Sequence, residues 1–312
     1  MRWRLVLSFL GLALVASFAQ SQPDASTFLQ GHLEANDGVT TLTVDSDHST
    51  VRISNPEAIR EEQKRKVAVH GVPTKDGMRV ISFATIDDHN KPDDVSFAGL
   101  IAERQDAAMV EHLLHLGANP NAKTGDGIPA LVAAMHMGDR FLMGSGITPN
   151  FEIITVLLDH GADPNALNKS WQTPLMAAAL SGDERLVKLL IDHKANVNIG
   201  SKVGMTALMY ARGLSALRML IAAGASVNDK SITGETGLYY ATQRADPDAV
   251  KALIEAGANV NAKNDRDMTP LHLAQLELAS ESSRQNRGDA YKSRVQDVID
   301  LLLAAGALPD RQ

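Results

Sequence analysis

The sequence of 312 residues contains no cysteine, which excludes disulfide bonds, zinc–thiolate sites, iron–sulfur clusters and cysteine nucleophiles. Aromatic residues make up only 4%, so the core has to be built from Leu, Ala, Val, Ile and Met. Basic residues are the minority, with 30 Lys and Arg against 37 Asp and Glu, which gives a net charge of −7. This balance argues against non-specific binding to nucleic acid or anionic lipid, since both need a basic face.

The one sustained apolar run lies at the start of the chain. Arg2 and Arg4 precede residues 5–16, which are almost all apolar, and the small residues Ser17 and Ala19 follow. This order is typical of a secretory signal peptide, and we predict cleavage after Ala19. Because the run is short for a hydrocarbon core of about 30 Å, a retained membrane anchor is the minor interpretation. An exported chain without cysteine favours a bacterial periplasm, so we predict a periplasmic or secreted protein that does not contact the membrane after cleavage.

An internal repeat organises most of the chain. The pattern L-L-x-x-G-A-x-x-N recurs and closes at positions 121, 165, 198, 228, 261 and 310. A helix-start pattern follows at a fixed offset, for example TPLMAA at 173–178 and TPLHLA at 269–274. A unit of 33 residues explains all the spacings if the second copy has 11 extra residues, the fourth lacks 3 and the sixth has 16 extra.

These two motifs closely resemble the ankyrin repeat family. The resemblance covers residues 88–312 as six repeats, with insertions near 140–150 and 279–294. It implies a mostly α solenoid of helix–turn–helix units with β-turn fingers between them. Thr173 and Thr269 stand where a hydroxyl caps a helix start. Glycine follows the second helix in five repeats, as a left-handed cap requires, whereas the third repeat has Lys194.

Residues 20–87 do not fit the repeat. Partial alternation of apolar and polar residues predicts strands at 39–44, 49–54, 67–72 and 78–86, and residues 56–66 have the pattern of a helix. We therefore predict three parts: a signal peptide at 1–19, a small α+β segment at 20–87 and an ankyrin repeat domain at 88–312. A solenoid needs its terminal apolar edges covered, and the α+β segment is expected to cover the first repeat.

The sequence contains few patterns that are typical of catalytic or metal-binding sites. It has no G-x-S-x-G, H-E-x-x-H, P-loop or dinucleotide-binding glycine motif. His112 and His115 are three residues apart and could share a metal, but no third ligand is nearby. Histidines at this place also interact favourably with a helix C-terminus, and that interpretation is preferred. We predict no catalytic residue, no cofactor and no metal.

The resemblance instead implies protein binding, because the fingers and inner helices of ankyrin arrays line a concave groove that holds a partner. Carried over by position, it gives these candidate partner-binding residues: Ile128, His136, Met137, Trp171, Gln172, Leu180, Met205, Glu235, Gln243, Arg244 and Met268. Trp171 replaces the glycine found at Gly127, Gly204 and Gly234. It is either a binding anchor or a plug against the neighbouring finger.

The prediction for function is an exported, non-enzymatic and monomeric module that binds another protein. Three alternatives stay open. The protein is an inhibitor or immunity partner of a toxin or envelope enzyme, a scaffold, or a carrier of a ligand-binding or catalytic segment at 24–90 that the repeats recruit. The insertion at 140–150 either contacts a partner or folds back as packing.

Overall fold

The computed structural model describes residues 27–36, 39–44, 50–53, 66–74, 77–86, 92–103, 106–136, 149–284 and 288–309. The chain divides into two compact units. Unit one comprises residues 1–136 and 146–163, and unit two comprises 137–145 and 164–312. The predicted signal peptide, the candidate Met137 and the predicted helix at 56–66, apart from Lys66, lie outside the described residues.

Unit one begins with an antiparallel sheet of five strands in the order β3-β2-β1-β4-β5. The strands are β1 (Thr27–Asn36), β2 (Val39–Val44), β3 (Thr50–Arg52), β4 (Lys66–Thr74) and β5 (Gly77–Thr85). Four of them correspond to the predicted strands. The sequence analysis missed β1, whose inward face has Gly31 between Leu29 and Leu33, because a glycine at an inward position weakens the apolar alternation.

The sheet curls around its own core. Its buried side chains form one cluster, comprising Leu33, Leu42, Val44, Ile53, Val67, Val69, Met78 and Val80. A parallel bridge between Ile53 and Met78 joins the two edges of the sheet. The curl brings backbones unusually close at Gly31, where a Cβ atom would lie 2.0 Å from the carbonyl oxygen of Thr43. Only glycine permits that approach.

The helices of unit one are α1 (Asp94–Glu103), α2 (Ala107–His115), α3 (Ala130–Ala134) and α4 (Phe151–Asp159). They are the helix pairs of the first two predicted repeats. Helix α1 packs against both β5 and α3, so the sheet covers the side of the first repeat that has no preceding repeat. This contact is the one expected of a segment that caps a solenoid.

Unit two contains the remaining four helix pairs. They are α5 (Pro174–Ser181) with α6 (Glu184–Asp192), α7 (Ala207–Tyr210) with α8 (Leu214–Ala222), α9 (Gly237–Gln243) with α10 (Pro247–Glu255), and α11 (Pro270–Arg284) with α12 (Asp289–Ala304). First helices pack on first helices and second on second. Helix α7 has only four residues, where the fourth repeat lacks three. No helix in the described part of the chain is long and apolar enough to cross a membrane.

Four of the closing asparagines link their repeat to the next through two hydrogen bonds. The amide Nδ2 donates to the carbonyl oxygen of the glycine that follows the next second helix, and Oδ1 accepts from the backbone N–H two residues after that glycine. For Asn198 these bonds reach Gly224 O at 3.1 Å and Ser226 N at 2.8 Å. Asn121, Asn228 and Asn261 make the same pair. The asparagine therefore satisfies backbone groups that the helix end leaves free.

Lys194 adopts the conformation that the alignment predicts. Its φ is +66°, in the left-handed region, and the equivalent glycines Gly224 and Gly257 have φ of +88° and +86°. A residue with a Cβ atom costs roughly 1 kcal/mol in this conformation. The third repeat therefore contains local strain at the end of α6.

We expect Lys194→Gly to stabilise the protein by a few tenths to about 1 kcal/mol, since glycine removes the strain but adds freedom to the unfolded chain. Equilibrium urea unfolding measures the change. The reciprocal control is Gly224→Ala, for which the added Cβ meets no atom within 4 Å and the strain alone predicts a loss of about 1 kcal/mol. Destabilisation by Lys194→Gly would show that the Lys194 side chain makes a stabilising contact.

Candidate functional site

A buried or half-buried polar side chain shapes each finger. This side chain accepts a hydrogen bond from the backbone N–H of the residue four positions later. The pairs are Thr124 with Ile128 (3.1 Å), Asn168 with Gln172 (2.9 Å), Ser201 with Met205 (3.2 Å), Ser231 with Glu235 (3.2 Å) and Asn264 with Met268 (3.0 Å). The second residue of each pair is a candidate from the sequence. The sequence analysis missed the first residue, although a polar residue recurs at that register.

Trp171 occupies the left-handed position of its finger. Its φ is +58°, against +78° at Gly127 and +72° at Gly204, and Asp267 shares the conformation at +56°. The glycine equivalence predicted from sequence is therefore confirmed by the backbone. Trp171 is 58% exposed, so more than half of its surface is open to solvent.

The side chains of two candidates make hydrogen bonds that connect neighbouring repeats. Gln172 is buried, and its amide accepts from Asn168 Nδ2 at 3.0 Å and donates to the Tyr210 hydroxyl at 3.3 Å. The guanidinium of Arg244 donates to the carbonyl oxygens of Met209 (3.3 Å) and Ala211 (3.1 Å), at the end of the short helix α7. Arg244 thus supplies partners for carbonyls that the shortened repeat leaves without helical ones.

Glu235 is held as a carboxylate within its own finger. It accepts hydrogen bonds from Ser231 Oγ at 2.6 Å and from Thr233 Oγ1. Burial acts to raise the pKa of this carboxyl group, but the bonds from Ser231 and Thr233 outweigh it and lower the pKa below the ordinary value. The Glu235 side chain therefore presents a fixed negative charge at the finger.

The other candidates differ in exposure. In unit two, Leu180, Met205 and Met268 are half-buried and Gln243 is exposed. In unit one, Ile128 and His136 are half-buried, and burial lowers the pKa of His136.

Unit two also exposes apolar side chains that the sequence analysis did not select. Leu167 lies on the same finger as Trp171, Val203 on the next finger and Ile232 on the one after that. They are 41%, 44% and 66% exposed, respectively. The resemblance to ankyrin repeats predicted binding residues at the position just before each helix start. These three residues do not occupy that position. The sequence pattern that could have predicted them is a large apolar residue within the turn itself.

Hydrogen bonds join these fingers into a continuous strip. The backbone N–H of Lys202 donates to Ser170 O at 3.1 Å, and that of Ile232 donates to Val203 O at 3.0 Å. We call residues 167–172, 200–205 and 230–235 the finger strip. It places an exposed tryptophan and three exposed aliphatic side chains on three successive repeats.

Unit one contains a compact polar cluster below the surface. Asp106 Oδ2 lies 2.5 Å from both His70 Nδ1 and Ser82 Oγ, and Asp106 Oδ1 caps α2 by accepting from Met109 N at 3.1 Å. The Phe28 ring stacks on His70, with ring centroids 4.5 Å apart. The cluster joins strands β1, β4 and β5 to the first repeat.

The three residue types of a hydrolase triad meet here, but their connections differ from those of a triad. Ser82 and His70 both bind the same carboxylate, and His70 Nε2 is buried with no hydrogen-bond partner. A serine nucleophile needs the imidazole itself to accept its proton. The described residues also contain no group of three or more His, Asp or Glu side chains that could hold a metal ion. The cluster is best explained as a structural link.

Comparison with known proteins bears on the same residues. A family model described as ankyrin repeats in three copies matches residues 142–231 and 212–282. A search of curated proteins found no match. Among solved structures, an ankyrin repeat domain from Acinetobacter baumannii AYE is similar, with 26% sequence identity and a TM-score of 0.56, covering 69% of this chain and 100% of that one. The recurring motifs, the paired helices and fingers, and these matches show that the chain contains ankyrin repeats.

Proposed function

We propose that this protein is an exported, non-catalytic module that binds another protein through the fingers and inner helices of its ankyrin repeats. Ankyrin repeats are protein–protein interaction modules. The observation that carries the proposal is Trp171, a large aromatic side chain that is 58% exposed on a finger where other repeats have glycine. Tryptophan is among the residue types enriched at the residues that dominate the binding energy of protein interfaces.

The position of Trp171 argues for a role outside folding. A left-handed backbone costs a residue with a Cβ atom roughly 1 kcal/mol, and more than half of the Trp171 surface stays exposed in the free protein. Function is one common reason for such a local cost to persist. Binding would bury the ring and supply the missing stabilisation.

We expect Trp171→Ala to weaken partner affinity by about 2 kcal/mol or more, which is roughly a 30-fold rise in Kd, with a smaller change in stability. Tryptophan and alanine share the cost of the left-handed backbone, so the substitution isolates the side chain. The partner is first captured from an envelope extract with the mature protein as bait, and its affinity is then measured with purified components.

Leu303→Ala is the matched control, because Leu303 is 45% exposed on the last helix, away from the fingers. It is expected to leave affinity unchanged. If Trp171→Ala lowers thermal stability while affinity per folded molecule stays the same, Trp171 has a packing role and the proposal is wrong. A stable one-to-one complex would favour the inhibitor or immunity alternative, and several weaker partners would favour a scaffold.

Export is part of the proposal and rests on the pattern of residues 1–19. Processed native protein is expected to begin at or near Gln20, which an intact-mass measurement checks; a retained Met1 in envelope material contradicts it. The connections of His70, Ser82 and Asp106 support a non-catalytic unit one, because Ser82 donates to Asp106 and not to the imidazole of His70. A fragment lacking residues 24–90 that kept its function would argue against the recruitment alternative.

A further inference from the structure

The fourth repeat differs in charge from the rest of this acidic protein. From His193 to Asn228 the chain contains no Asp or Glu, but it contains Lys194, Lys202, Arg212 and Arg218. Elsewhere acidic residues outnumber basic ones, as the net charge of −7 requires. Basic residues are therefore concentrated at the end of the third repeat and in the fourth, within unit two.

Two of these charges are exposed on either side of the inner helix of the fourth repeat, and one of them lies on the finger strip. Lys202 is exposed on the finger strip, where its N–H bonds to the finger of Trp171, and Val203 follows it directly. Arg212 is exposed just after helix α7, and its backbone N–H bonds to Ala179 O at 2.9 Å. Lys202 precedes α7 by five residues and Arg212 follows it by two, so these two basic residues flank this inner helix in the sequence.

The finger of the neighbouring repeat carries both signs of charge. Glu235 is held as a carboxylate by Ser231 and Thr233, and Asp229 precedes the turn. Lys230 is exposed on the same finger and donates from Nζ to Lys263 O at 2.9 Å. Ile232 of that finger lies against the fourth, since its Cγ2 would be 3.4 Å from a Cβ at Gly204. The strip thus combines an apolar row with the lysines Lys202 and Lys230 and one fixed carboxylate, Glu235.

We propose that the finger strip binds an acidic segment of a partner protein, in which Asp or Glu residues flank one or more large apolar side chains. The apolar side chains would pack on Trp171, Val203 and Ile232, and the carboxylates would face Lys202 and Arg212. This inference rests on the proposed function and adds the chemistry of the partner. Charge complementarity of this kind raises the association rate and sets the register of binding.

Random peptides displayed on phage and selected on the mature protein test the inference. Enriched peptides are expected to contain Asp or Glu next to Leu, Ile, Phe or Trp. A synthetic copy of an enriched peptide should bind at least about tenfold more weakly to Lys202→Glu/Arg212→Glu. Its affinity should also fall several-fold as salt rises from about 50 mM to about 500 mM.

The matched control is Arg218→Glu/Lys251→Glu, which changes the net charge equally on exposed positions of the second helices α8 and α10. It is expected to retain affinity within about twofold. Equal losses in both double variants would mean that total charge, not the finger strip, governs binding, and this overturns the inference.

The outcomes also separate the two proposals. If basic or neutral peptides are enriched and their binding needs Trp171, the proposed function stands and the acidic partner is wrong. If acidic peptides bind equally well to Trp171→Ala, the finger site itself is wrong. Selection of no peptide overturns the inference. So does tighter binding of the same surface to single-stranded DNA or to phosphatidylcholine vesicles with about 30% phosphatidylserine.

Discussion

Replacing Gly31 with alanine is expected to destabilise unit one by about 3 kcal/mol or more. The added Cβ would lie 2.0 Å from the carbonyl oxygen of Thr43 and 3.0 Å from the Cα of Val44. Both atoms belong to the backbone of β2, which pairs with β1 at this point, so no side-chain rotation relieves the overlap. Strands β1 and β2 must separate, which breaks ladder hydrogen bonds and opens the core around Leu33 and Leu42.

Hydrogen exchange of residues 27–86 together with urea unfolding measures this effect. Gly99→Ala is the matched control, since Gly99 lies within α1 and its added Cβ meets no atom within 4 Å. It should stabilise the protein by about 0.5–1 kcal/mol through helix propensity. An unchanged exchange pattern in Gly31→Ala would show that β1 and β2 do not approach as closely as described.

Replacing Asp106 with alanine is expected to cost about 3 kcal/mol of the free energy of unfolding. Its carboxylate is 10% exposed and serves three partners, which are His70, Ser82 and the backbone N–H of Met109. Alanine removes the cap of α2 and leaves two buried polar side chains on the sheet without a partner. Each of these losses is typically worth 1 kcal/mol or more.

Asp183→Ala is the control, because Asp183 caps α6 through Arg185 N and Leu186 N but serves no buried side chain. It should cost only about 1 kcal/mol. Asp106→Asn separates charge from capping, since an amide oxygen can still accept from Met109. Equal losses for Asp106→Ala and Asp183→Ala would show that the bonds to His70 and Ser82 contribute nothing to stability.

The contribution of Asp106 to the free energy of unfolding should decrease as the pH falls into the acid range. Burial acts to raise its pKa, but hydrogen bonds from Ser82 and His70 outweigh burial and hold the pKa below the ordinary 3.8. A carboxyl group with a lowered folded pKa contributes its stability above its unfolded pKa and loses it as the pH falls through the folded value. The difference between the protein and Asp106→Asn should thus be constant near neutral pH and shrink in acid.

The repeats could be predicted from sequence because their signals are local. A left-handed φ selects glycine at Gly224, a free helix N-terminus selects Thr173, and a stacked second helix needs the leucine pair. Each requirement acts within a few residues and recurs with the period of 33. The same reasoning identified the equivalent of glycine at Trp171 and at Lys194, and the backbone confirms both positions.

The sequence predicted which positions form the candidate site, but it did not predict what each side chain contacts or how exposed it is. Gln172 and Glu235 occupy equivalent places, but one is buried against Tyr210 and the other is half-buried within its own finger. Arg244 was predicted as a groove residue, and local patterns did not predict that its guanidinium also bonds to the carbonyl oxygens at the end of α7. What a side chain contacts across repeats depends on its neighbours about 33 residues away, which local patterns do not specify.

By itself, the sequence determined the repeat class, the helix pairs, the fingers and the left-handed turns, since these follow from backbone conformation and capping over short stretches. The tertiary structure alone decided the curl of the sheet at Gly31, the link from Asp106 to His70 and Ser82, and the exposure of Trp171 beside Val203 and Ile232. Each of these depends on which distant segments meet. The free energy of such contacts comes from burial and shared hydrogen bonds, and neither quantity is defined until the chain has folded.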